Sequence, residues 1–488
     1  MAIAIRPVRH GSRRLTLAVL AAGAGVFSML QSLITPVLPT IQQDLHTSRN
    51  TATWVFTAYL LSASICTPIL GRIGDMRGKE RMLVASLATL AVGCLLAAVA
   101  PSIGLLIAAR VVQGVGGAVF PLSFGIIRDE FPAARVSSAV GTLSAIVAAG
   151  SGLGIVAAGP IVGALDYRWL FWIPMVVVGL TAVAAHLLVP PSPVRTPGRI
   201  NWTSTALLSG WLVALLLPIS QATVWGWGSV RVVALLVLAV ALFAGWLAAE
   251  MRSANPLIDM RMMRLPAVWT TNLAALLFGA AMFAVYAFVP QFVQIPASAG
   301  YGFGAGVTGA GLLMLPMLVA MFLAGIVGGR LESRFSAKVQ LTTGAALGAL
   351  ACAALAGLHD RPWQVAVAAG LFGLGIGLSF AAMPNLIVRA VPAAQTGAAT
   401  GMNANIRTIG GAIGGAAVSA VITAHPQASG LPREAGFTLG FVVVTVLAVA
   451  ATAAAAAVPS RPRSPRPPQP STPLDTRQPA LVPVTAAR

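Results

Sequence analysis

The sequence predicts an all-α protein that crosses a membrane many times. Fourteen separate stretches are apolar for about the twenty residues that a helix needs to cross the hydrocarbon core of a bilayer. Charged residues make up 9% of the chain and hydrophobic residues 57%, whereas soluble domains are about 25% charged. Because lipid offers the backbone no hydrogen-bond partners, each of these stretches must be helical.

Each predicted span is an apolar run bounded by loops that contain charged residues, proline or glycine. The first run follows Ser12-Arg13-Arg14 and is longer than the core of a cleaved export signal, which predicts an uncleaved helix. Two middle spans are set apart by Pro190-Pro191-Ser192-Pro193 and by the loop 251–266. In order, the predicted spans are 15–38, 51–70, 82–100, 104–127, 137–163, 170–189, 203–220, 230–249, 268–292, 306–328, 338–358, 363–387, 400–424 and 436–458.

Basic residues predict which loops face the cytoplasm, because Lys and Arg concentrate in short cytoplasmic loops. With the N-terminus inside, 24 of the 31 basic residues fall on the inner side, 5 on the outer side and 2 within spans. An error of one span would scramble this alternation, so both termini are expected to be cytoplasmic. Arginine is abundant while lysine occurs only at Lys79 and Lys338, which indicates GC-rich codon usage and a bacterial plasma membrane.

Charge and cysteine content exclude several other classes. The net charge of +19 would suggest nucleic acid as a partner of a soluble protein. Here the basic residues are spread among short loops, so they are interpreted as a topology signal, and no nucleic-acid partner is expected. Cys66, Cys94 and Cys352 lie inside predicted spans, where packing explains them better than a disulfide or metal framework. No metal and no other cofactor is expected.

The segment from Gly71 to Arg81, between the second and third spans, is the most distinctive motif. It reads Gly-Arg-Ile-Gly-Asp-Met-Arg-Gly-Lys-Glu-Arg. Glycines allow a tight reversal between helices, and Asp75 lies where a carboxylate could face a helix N-terminus or a cation. This segment resembles the loop signature of the major facilitator superfamily. The resemblance implies a cytoplasmic gate formed by Gly71, Asp75, Gly78 and Lys79, with Asp129 as a partner.

Other motifs extend the resemblance over residues 15–458. The fourth span contains Arg110 followed by Gln113-Gly114, which is similar to a buried arginine motif of the family. The segment from Gly329 to Arg334 is a degraded copy of the first loop and indicates a duplicated half. The fifth span resembles the glycine and proline signature of exporters, through Gly150, Gly154, Gly159, Pro160 and Gly163.

The resemblance implies a fourteen-helix member of the drug:proton antiporter branch, a multidrug efflux type associated with antibiotic resistance. Such a fold has two six-helix bundles plus two extra central transmembrane helices. The predicted regions are a cytoplasmic N-terminal segment at 1–14, an N-terminal six-helix bundle at 15–189, a linker with the two extra helices at 190–267, a C-terminal six-helix bundle at 268–458, and a disordered cytoplasmic tail rich in Pro and Arg at 459–488.

One position departs from the branch. Gln31 stands where aspartate is usual and cannot titrate, and every acidic residue falls in or beside a loop or the tail. Proton antiport needs a group whose charge changes inside the membrane. Coupling to protons would therefore have to use Asp75, Asp129, Asp166 or His186.

Two arginines inside spans indicate the transport path. An arginine at membrane depth costs several kcal/mol unless it faces a wet cavity or a partner. Arg110 and Arg407 are therefore assigned, together with Gln31, Gln113 and Asn403, to the substrate or ion pathway. For Arg407, hydrogen bonds to nearby carbonyls or snorkelling toward the inner side is an equally good explanation. With no facing acid, the predicted cavity is neutral to positive and favours neutral or anionic amphiphiles over organic cations.

An adaptable apolar pocket is a further hypothesis. Met282, Phe283, Tyr286 and Phe288 could line it, although packing or lipid contact explains the same side chains. The expected function is secondary active export of amphiphilic small molecules by alternating access, with protons as the candidate coupling ion and membrane lipid around a monomer. The alternatives are an uncoupled facilitator or sensor, an exporter of other metabolites and, remotely, a polytopic membrane enzyme, for which no clustered catalytic residues are found.

Overall fold

A computed structural model describes residues 12–193, 199–253, 256–331, 334–424, 427 and 431–459. Within this part of the chain, fourteen helices are long and apolar enough to cross a membrane. Their bounds are α1 Arg13–Ser32, α2 Arg49–Arg77, α3 Lys79–Ala98, α4 Ile103–Glu130, α5 Ala133–Ala164, α6 Trp169–Leu188, α7 Trp202–Trp225, α8 Val230–Arg252, α9 Pro266–Gln294, α10 Val307–Leu331, α11 Ala337–Gly357, α12 Pro362–Ala390, α13 Thr396–Thr423 and α14 Glu434–Ala456.

The predicted all-α fold with fourteen spans is confirmed, and the first and tenth spans depart from a continuous helix near prolines. The first span was predicted to reach residue 38, whereas α1 ends at Ser32 and is followed by a 3-10 turn, Thr35–Val37, and a short helix, Leu38–Asp44. Proline has no N–H for the helical ladder, so Pro36 ends the regular helix. The helical run of α10 is likewise interrupted at Met314, two residues before Pro316. The Pro/Arg-rich tail beyond residue 459 lies outside the described residues. So do Glu332 and Ser333, in the degraded copy of the first loop motif.

The packing of the first six helices is repeated by the last six. In the first set, α1 packs on α5 and α6, α2 on α4, and α3 on α4 and α6. In the second set, α9 packs on α13 and α14, α10 on α12, and α11 on α12 and α14. Adding eight to each helix number of the first set gives the contacts of the second set. The chain therefore forms two six-helix bundles of the same architecture, as duplicated halves do.

The two bundles meet along two equivalent seams. One seam pairs α2 with α13 and the other pairs α5 with α10, and these pairs exchange under the same eight-helix shift. The seam between α5 and α10 is close because small residues face one another: a Cβ added to Gly141 would overlap the backbone of Gly329. Small residues let membrane helices approach this closely.

The two extra helices lie beside the bundles. Helix α7 packs on α8, α2 and α13, and its residues Leu208, Trp211 and Leu212 form a second apolar core with α13. In α8, only 17% of the most apolar stretch is buried. The pair therefore attaches to the side of the α2–α13 seam through α7, while α8 presents most of its surface outward.

Candidate functional site

The centre of the molecule holds a small cavity between the two bundles. Its volume is about 20 Å³, enough for roughly one water molecule. Helices α4 and α5 of the first bundle and α12 and α13 of the second supply its walls. The lining residues are Phe120, Phe124, Ser144, Val147, Phe380, Pro384, Thr400, Asn403, Ala404 and Arg407. Arg407 is the single charged residue of this lining, which contains no carboxylate.

Arg407 is held by an aromatic ring. Its guanidinium carbon lies 4.4 Å from the centre of the Phe380 ring, within the range of a cation–π contact. Among the described residues, no acceptor forms a hydrogen bond or ion pair with Arg407. Asn403, one turn earlier on α13, is engaged elsewhere and donates to Asn272 Oδ1 of α9 at 2.8 Å. The cavity therefore presents an arginine whose N–H donors are available to a ligand.

Arg110 lies away from the central cavity in this conformation. The sequence assigned it to a passage, but its side chain is 0% exposed and is absent from the cavity lining. Its Nε donates to Val55 O at 3.0 Å, and its two terminal nitrogens donate to Gln113 Oε1 at 2.5 Å and Leu30 O at 3.3 Å. Arg110 thus ties α4 to α1 and α2 inside the first bundle.

Gln113 belongs to the same internal network and is likewise absent from the cavity lining. Its side chain is 0% exposed, accepts from Arg110 and donates to Gly93 O of α3 at 3.1 Å. In this conformation Arg110 and Gln113 therefore bond to each other and to backbone carbonyls and do not line the cavity. A buried arginine need not meet a carboxylate, because backbone carbonyls at the right positions satisfy its donors equally well.

Aromatic residues connect this network to the cavity. The Arg110 guanidinium carbon lies 4.0 Å from the centre of the Tyr59 ring. The Tyr59 hydroxyl donates to Phe27 O at 3.0 Å, and the Phe27 ring packs edge-on against cavity-lining Phe120 at 5.1 Å. Sequence reasoning missed Phe27, Tyr59 and Phe120. Their one signal was an aromatic ring within a membrane span, which does not say what the ring contacts.

Gln31 lies further along α1 from this aromatic contact. It is half-buried and is not among the residues that line the cavity. It follows Phe27 by four positions, so the two share a helix face and differ in height by about 6 Å. Gln31 therefore lies on the face of α1 that carries Phe27, whose ring packs against the cavity-lining Phe120.

The motif from Gly71 to Arg81 is mostly helical rather than a loop. Helix α2 continues to Arg77, and α3 begins at Lys79, so Gly78 alone makes the reversal. Gly78 has φ of 115°, which disfavours any residue with a Cβ. Asp75 is consequently on the last turn of α2, and Lys79 is the first residue of α3.

Lys79 is the centre of a buried group of charges. Its Nζ lies 2.6 Å from Asp129 Oδ2 of α4 and 3.7 Å from Asp75 Oδ1 of α2, and the side chains of Lys79 and Asp75 are 0% exposed. Gly125 of α4 leaves room for the lysine stem, since a Cβ there would come within 2.7 Å of Lys79 Cδ. Asp75, Lys79 and Asp129 are called the latch below.

Asp75 connects the latch to the second bundle. Its Oδ2 accepts a hydrogen bond from Ala398 N at 3.2 Å, in the first turn of α13. Backbone N–H groups and the helix dipole both favour a carboxylate at this end of a helix. A Cβ added to Gly397 would lie 3.0 Å from both Asp75 carboxylate oxygens, and one added to Gly71 would lie 3.1 Å from Gly397 O. The two glycines therefore permit the close approach of α2 and α13.

Further polar contacts join the bundles at the same end of the molecule. Arg128 donates to Thr396 Oγ1 at 2.9 Å, Arg389 to Ser137 Oγ at 2.6 Å, and Asn385 to Ser137 O at 3.2 Å. This end, at which α1 begins and α2 and α4 end, is called the basic end. The described contacts close the basic end, with the central cavity beyond it.

The linker after α6 also reaches the latch. The backbone N–H of Lys79 donates to Ser192 Oγ at 3.0 Å, and the backbone N–H of Ser192 donates to Glu80 Oε2 at 3.0 Å. These reciprocal bonds reproduce a capping box, in which a hydroxyl and a carboxylate satisfy free N–H groups at a helix start. Gly78 has no side chain to cap α3, so Ser192 supplies the cap from a distant part of the chain.

The glycines of α5 divide between two neighbours. A Cβ at Gly150 or Gly154 would overlap the backbone of α1, and a Cβ at Gly159 would lie 3.2 Å from the Thr308 backbone of α10. Gly163 has no atom within 4 Å of an added Cβ, and Pro160 is exposed within a continuous helix. Gly150, Gly154 and Gly159 therefore set helix spacing, whereas Gly163 makes no such close approach.

Replacing Gly150 with alanine is expected to destabilise the protein by about 1–3 kcal/mol, since the added methyl group overpacks the contact with Gly25 of α1. Thermal unfolding of the purified protein measures the change. Gly163→Ala on the same helix is the matched control and should change stability by less than about 0.5 kcal/mol. Equal melting temperatures for the two variants would contradict this role of Gly150.

The four residues of the predicted apolar pocket are not brought together in the cavity. Met282 is 3% exposed and Phe288 8% exposed within the bundle core. Phe283 packs where a Cβ at Gly411 would be, and the Tyr286 hydroxyl lies 3.6 Å from the sulfur of Met321. The cavity lining includes none of the four. Met282 and Tyr286 are four positions apart and share a face of α9, whereas Phe288 points to a different side of the helix.

Comparison with known proteins agrees with this architecture. A family model described as the Major Facilitator Superfamily matches residues 20–415 and again 295–487. The crystal structure of the human organic anion transporter MFSD10 (TETRAN) is similar with a TM-score of 0.65 and 13% identity, over 91% of this chain and 99% of that one. At this identity the likeness concerns the fold alone.

Similar sequences include proteins named for resistance and export. The tetracenomycin C resistance and export protein of Streptomyces glaucescens is 27% identical over 84% of this chain and 76% of its own length. Multidrug resistance protein 3 of Bacillus subtilis is 24% identical over 83% and 79%. The methylenomycin A resistance protein of Streptomyces coelicolor is 29% identical over 83% and 84%.

Proposed function

We propose that this chain, which belongs to the Major Facilitator Superfamily, exports small amphiphilic molecules such as antibiotics across the membrane. The chain is a multi-pass membrane transporter and not an enzyme. Relatives named for the export of, or resistance to, tetracenomycin C, methylenomycin A and multiple drugs support this substrate class. With the two termini in the cytoplasm, the basic end faces inward, as the distribution of Lys and Arg favours.

The single observation that carries the proposal is the closure between the bundles at the basic end. The latch and the contacts of Arg128, Asn385 and Arg389 join the bundles at the basic end. Two like bundles around a midplane site can rock against each other and expose that site to either side in turn. The described conformation then corresponds to the state closed toward the cytoplasm, and opening requires Asp75 to leave the N-terminus of α13.

The cavity favours neutral or anionic amphiphiles. Its lining combines two Phe rings of α4, one of α12 and the guanidinium of Arg407, with no carboxylate. Aromatic walls bury an apolar body, and a guanidinium donates to carboxylate or carbonyl oxygens of the substrate. An organic cation would meet a like charge at low dielectric, which raises its energy in the site.

Arg407→Gln is expected to lower export of an anionic amphiphile about ten-fold or more, since a hydrogen bond to a charged group contributes about 1.5–3 kcal/mol. Export of a neutral analogue should fall much less, because it loses no charge pairing. Uptake into everted vesicles with matched anionic, neutral and cationic dyes measures the preference. Arg252→Gln, an exposed arginine at the end of α8, is the control. A wild type that moves cationic dyes best would contradict the proposed substrate class.

Proton coupling is proposed to act through the latch. Gln31 cannot titrate and the cavity lining has no carboxylate, whereas Asp75 and Asp129 share Lys79 where the bundles separate. Protonation of either carboxylate would weaken its attraction to Lys79 and favour opening. In proteoliposomes with an imposed pH gradient, adding substrate should dissipate the pH gradient. The substrate should at the same time accumulate against its own concentration gradient. If the substrate only equilibrates across the membrane and no protons move, the protein is an uncoupled facilitator. If it transports other metabolites but not drugs, it is a metabolite exporter of the same fold.

A further inference from the structure

A second, larger cavity lies on the outer surface of the helix assembly. It has a volume of about 470 Å³, within the range of about 300–1,000 Å³ that is typical of ligand sites. Helices α1, α5 and α10 form it, at the seam between the bundles. All thirteen lining residues are apolar: Ala21, Ala22, Gly25, Val26, Met29, Ile146, Ala149, Gly150, Leu153, Leu318, Val319, Phe322 and Leu323. This cavity is called the seam groove.

The seam groove opens toward lipid and away from the central cavity. Ser144 and Val147 of α5 line the central cavity, whereas Ala149 and Leu153 line the seam groove from another face of the same helix. Leu153 is 46% exposed, and on the α10 wall Leu323 is 54% exposed. Side chains this exposed on membrane-spanning helices contact lipid, so an acyl chain has direct access to the groove.

Small residues make this surface concave. Apolar residues are expected on any lipid-facing helix, but a groove also requires that the helices present little side-chain volume between larger rims. Here the backbones of α1 and α5 are in contact at Gly25 and Gly150, and Ala21, Ala22 and Ala149 continue the floor. A flexible acyl chain can lie in such a groove, whereas a flat helix surface has no groove to hold it.

Each of the three helices also carries an arginine in register with the groove at the basic end. Arg14 precedes Ala21 by seven residues, which is about 10 Å along α1, and Arg135 precedes Ile146 by eleven residues, which is about 16 Å along α5. Intervals of seven and eleven return to the same helix face. Arg330 follows Leu323 by seven residues on α10. Arg14, Arg135 and Arg330 are all exposed.

These distances match the dimensions of one leaflet. Half of a hydrocarbon core about 30 Å thick is about 15 Å, so a phosphate beside these arginines leaves its acyl chain at the depth of the groove. We propose that the seam groove binds an acyl chain of an anionic phospholipid, whose phosphate is held by Arg14 and Arg135 in the leaflet at the basic end. The proposal is independent of the transported substrate.

The test is native mass spectrometry of the full chain with an equimolar mixture of phosphatidylglycerol and phosphatidylcholine. The wild type should retain phosphatidylglycerol, with a preference that drops at least five-fold in Arg14→Gln/Arg135→Gln, since each juxtamembrane arginine contributes a factor of about five. Ala149→Phe should lose the bound lipid by filling the groove. Arg261→Gln, exposed at the basic end but remote on the chain, and Val446→Phe, exposed on α14, are the matched controls.

Two results would overturn the proposal. One is equal retention of phosphatidylglycerol and phosphatidylcholine by the wild type, which would show bulk annular lipid only. The other is undiminished retention by Ala149→Phe with an unchanged melting temperature. If Ala149→Phe does not fold, Val319→Trp covers the same groove from the α10 rim, where Val319 is already 48% exposed, and the same outcomes apply to it.

Discussion

Lys79→Gln is expected to destabilise the folded chain by about 3–5 kcal/mol, the usual cost of removing one partner from a buried group of charges. Lys79 is 0% exposed and lies between two carboxylates, Asp75 and Asp129. Without the ammonium, both carboxylates remain buried and repel each other. Since about 1.4 kcal/mol is a factor of ten in an equilibrium, the state closed at the basic end should be strongly depopulated and export should fall at least ten-fold.

Two further variants make this prediction specific to the latch. Arg77→Gln removes an exposed cation two residues away and should leave melting temperature and export near wild type. Asp129→Asn added to Lys79→Gln removes one of the repelling charges, so the double variant should be more stable than Lys79→Gln alone. Normal export by Lys79→Gln, measured per folded molecule, would show that the latch takes no part in the conformational cycle.

Arg110→Ala is expected to destabilise the first bundle by about 3–5 kcal/mol, comparable to truncating a large core side chain. The substitution removes the donors of Val55 O, Leu30 O and Gln113 Oε1, and it leaves a void beside the Tyr59 ring. Arg110→Lys should recover part of this loss at most, because a single ammonium cannot reach three separated acceptors. Thermal unfolding of the purified variants measures both effects.

The same variants distinguish a structural arginine from one in a passage. If Arg110 is structural, Arg110→Ala lowers the stability of the protein. The molecules that still fold then keep the wild-type preference among anionic, neutral and cationic dyes. Arg231→Ala, at an exposed position of α8, should change neither property. An altered dye preference in Arg110→Ala with an unchanged melting temperature would support the passage interpretation and contradict the geometry described above.

Much of the fold could be read from the sequence, because apolar length is a local property. The fourteen spans, the middle pair and the duplicated halves follow from runs of about twenty apolar residues and from one repeated loop motif. Helix ends were less well predicted. Gly71 to Arg77 were expected in a loop because of their charge and glycine content, yet they continue α2. Contacts with the second bundle explain this: Gly71 packs against Gly397, and the Asp75 carboxylate accepts a hydrogen bond from Ala398 N.

Candidate residues could be recognised without knowing their partners. Arg110 and Arg407 were both singled out as charges at membrane depth, and the structure separates them: one is sealed by carbonyl oxygens and the other lies in the cavity wall. Ser192 was named only as part of a linker, and its role as a cap was missed because its bond to Lys79 joins residues 113 apart. Spacing along one helix carries no information about such distant contacts.

The sequence by itself determined that this chain spans a membrane fourteen times and that its few charges are concentrated near the helix ends, because transfer of each segment into lipid depends on that segment's own composition. Only the tertiary structure decided what each charge meets. Asp75 reaches the first turn of α13, 323 residues further along the chain, and a contact of this kind exists only once both bundles have packed against each other.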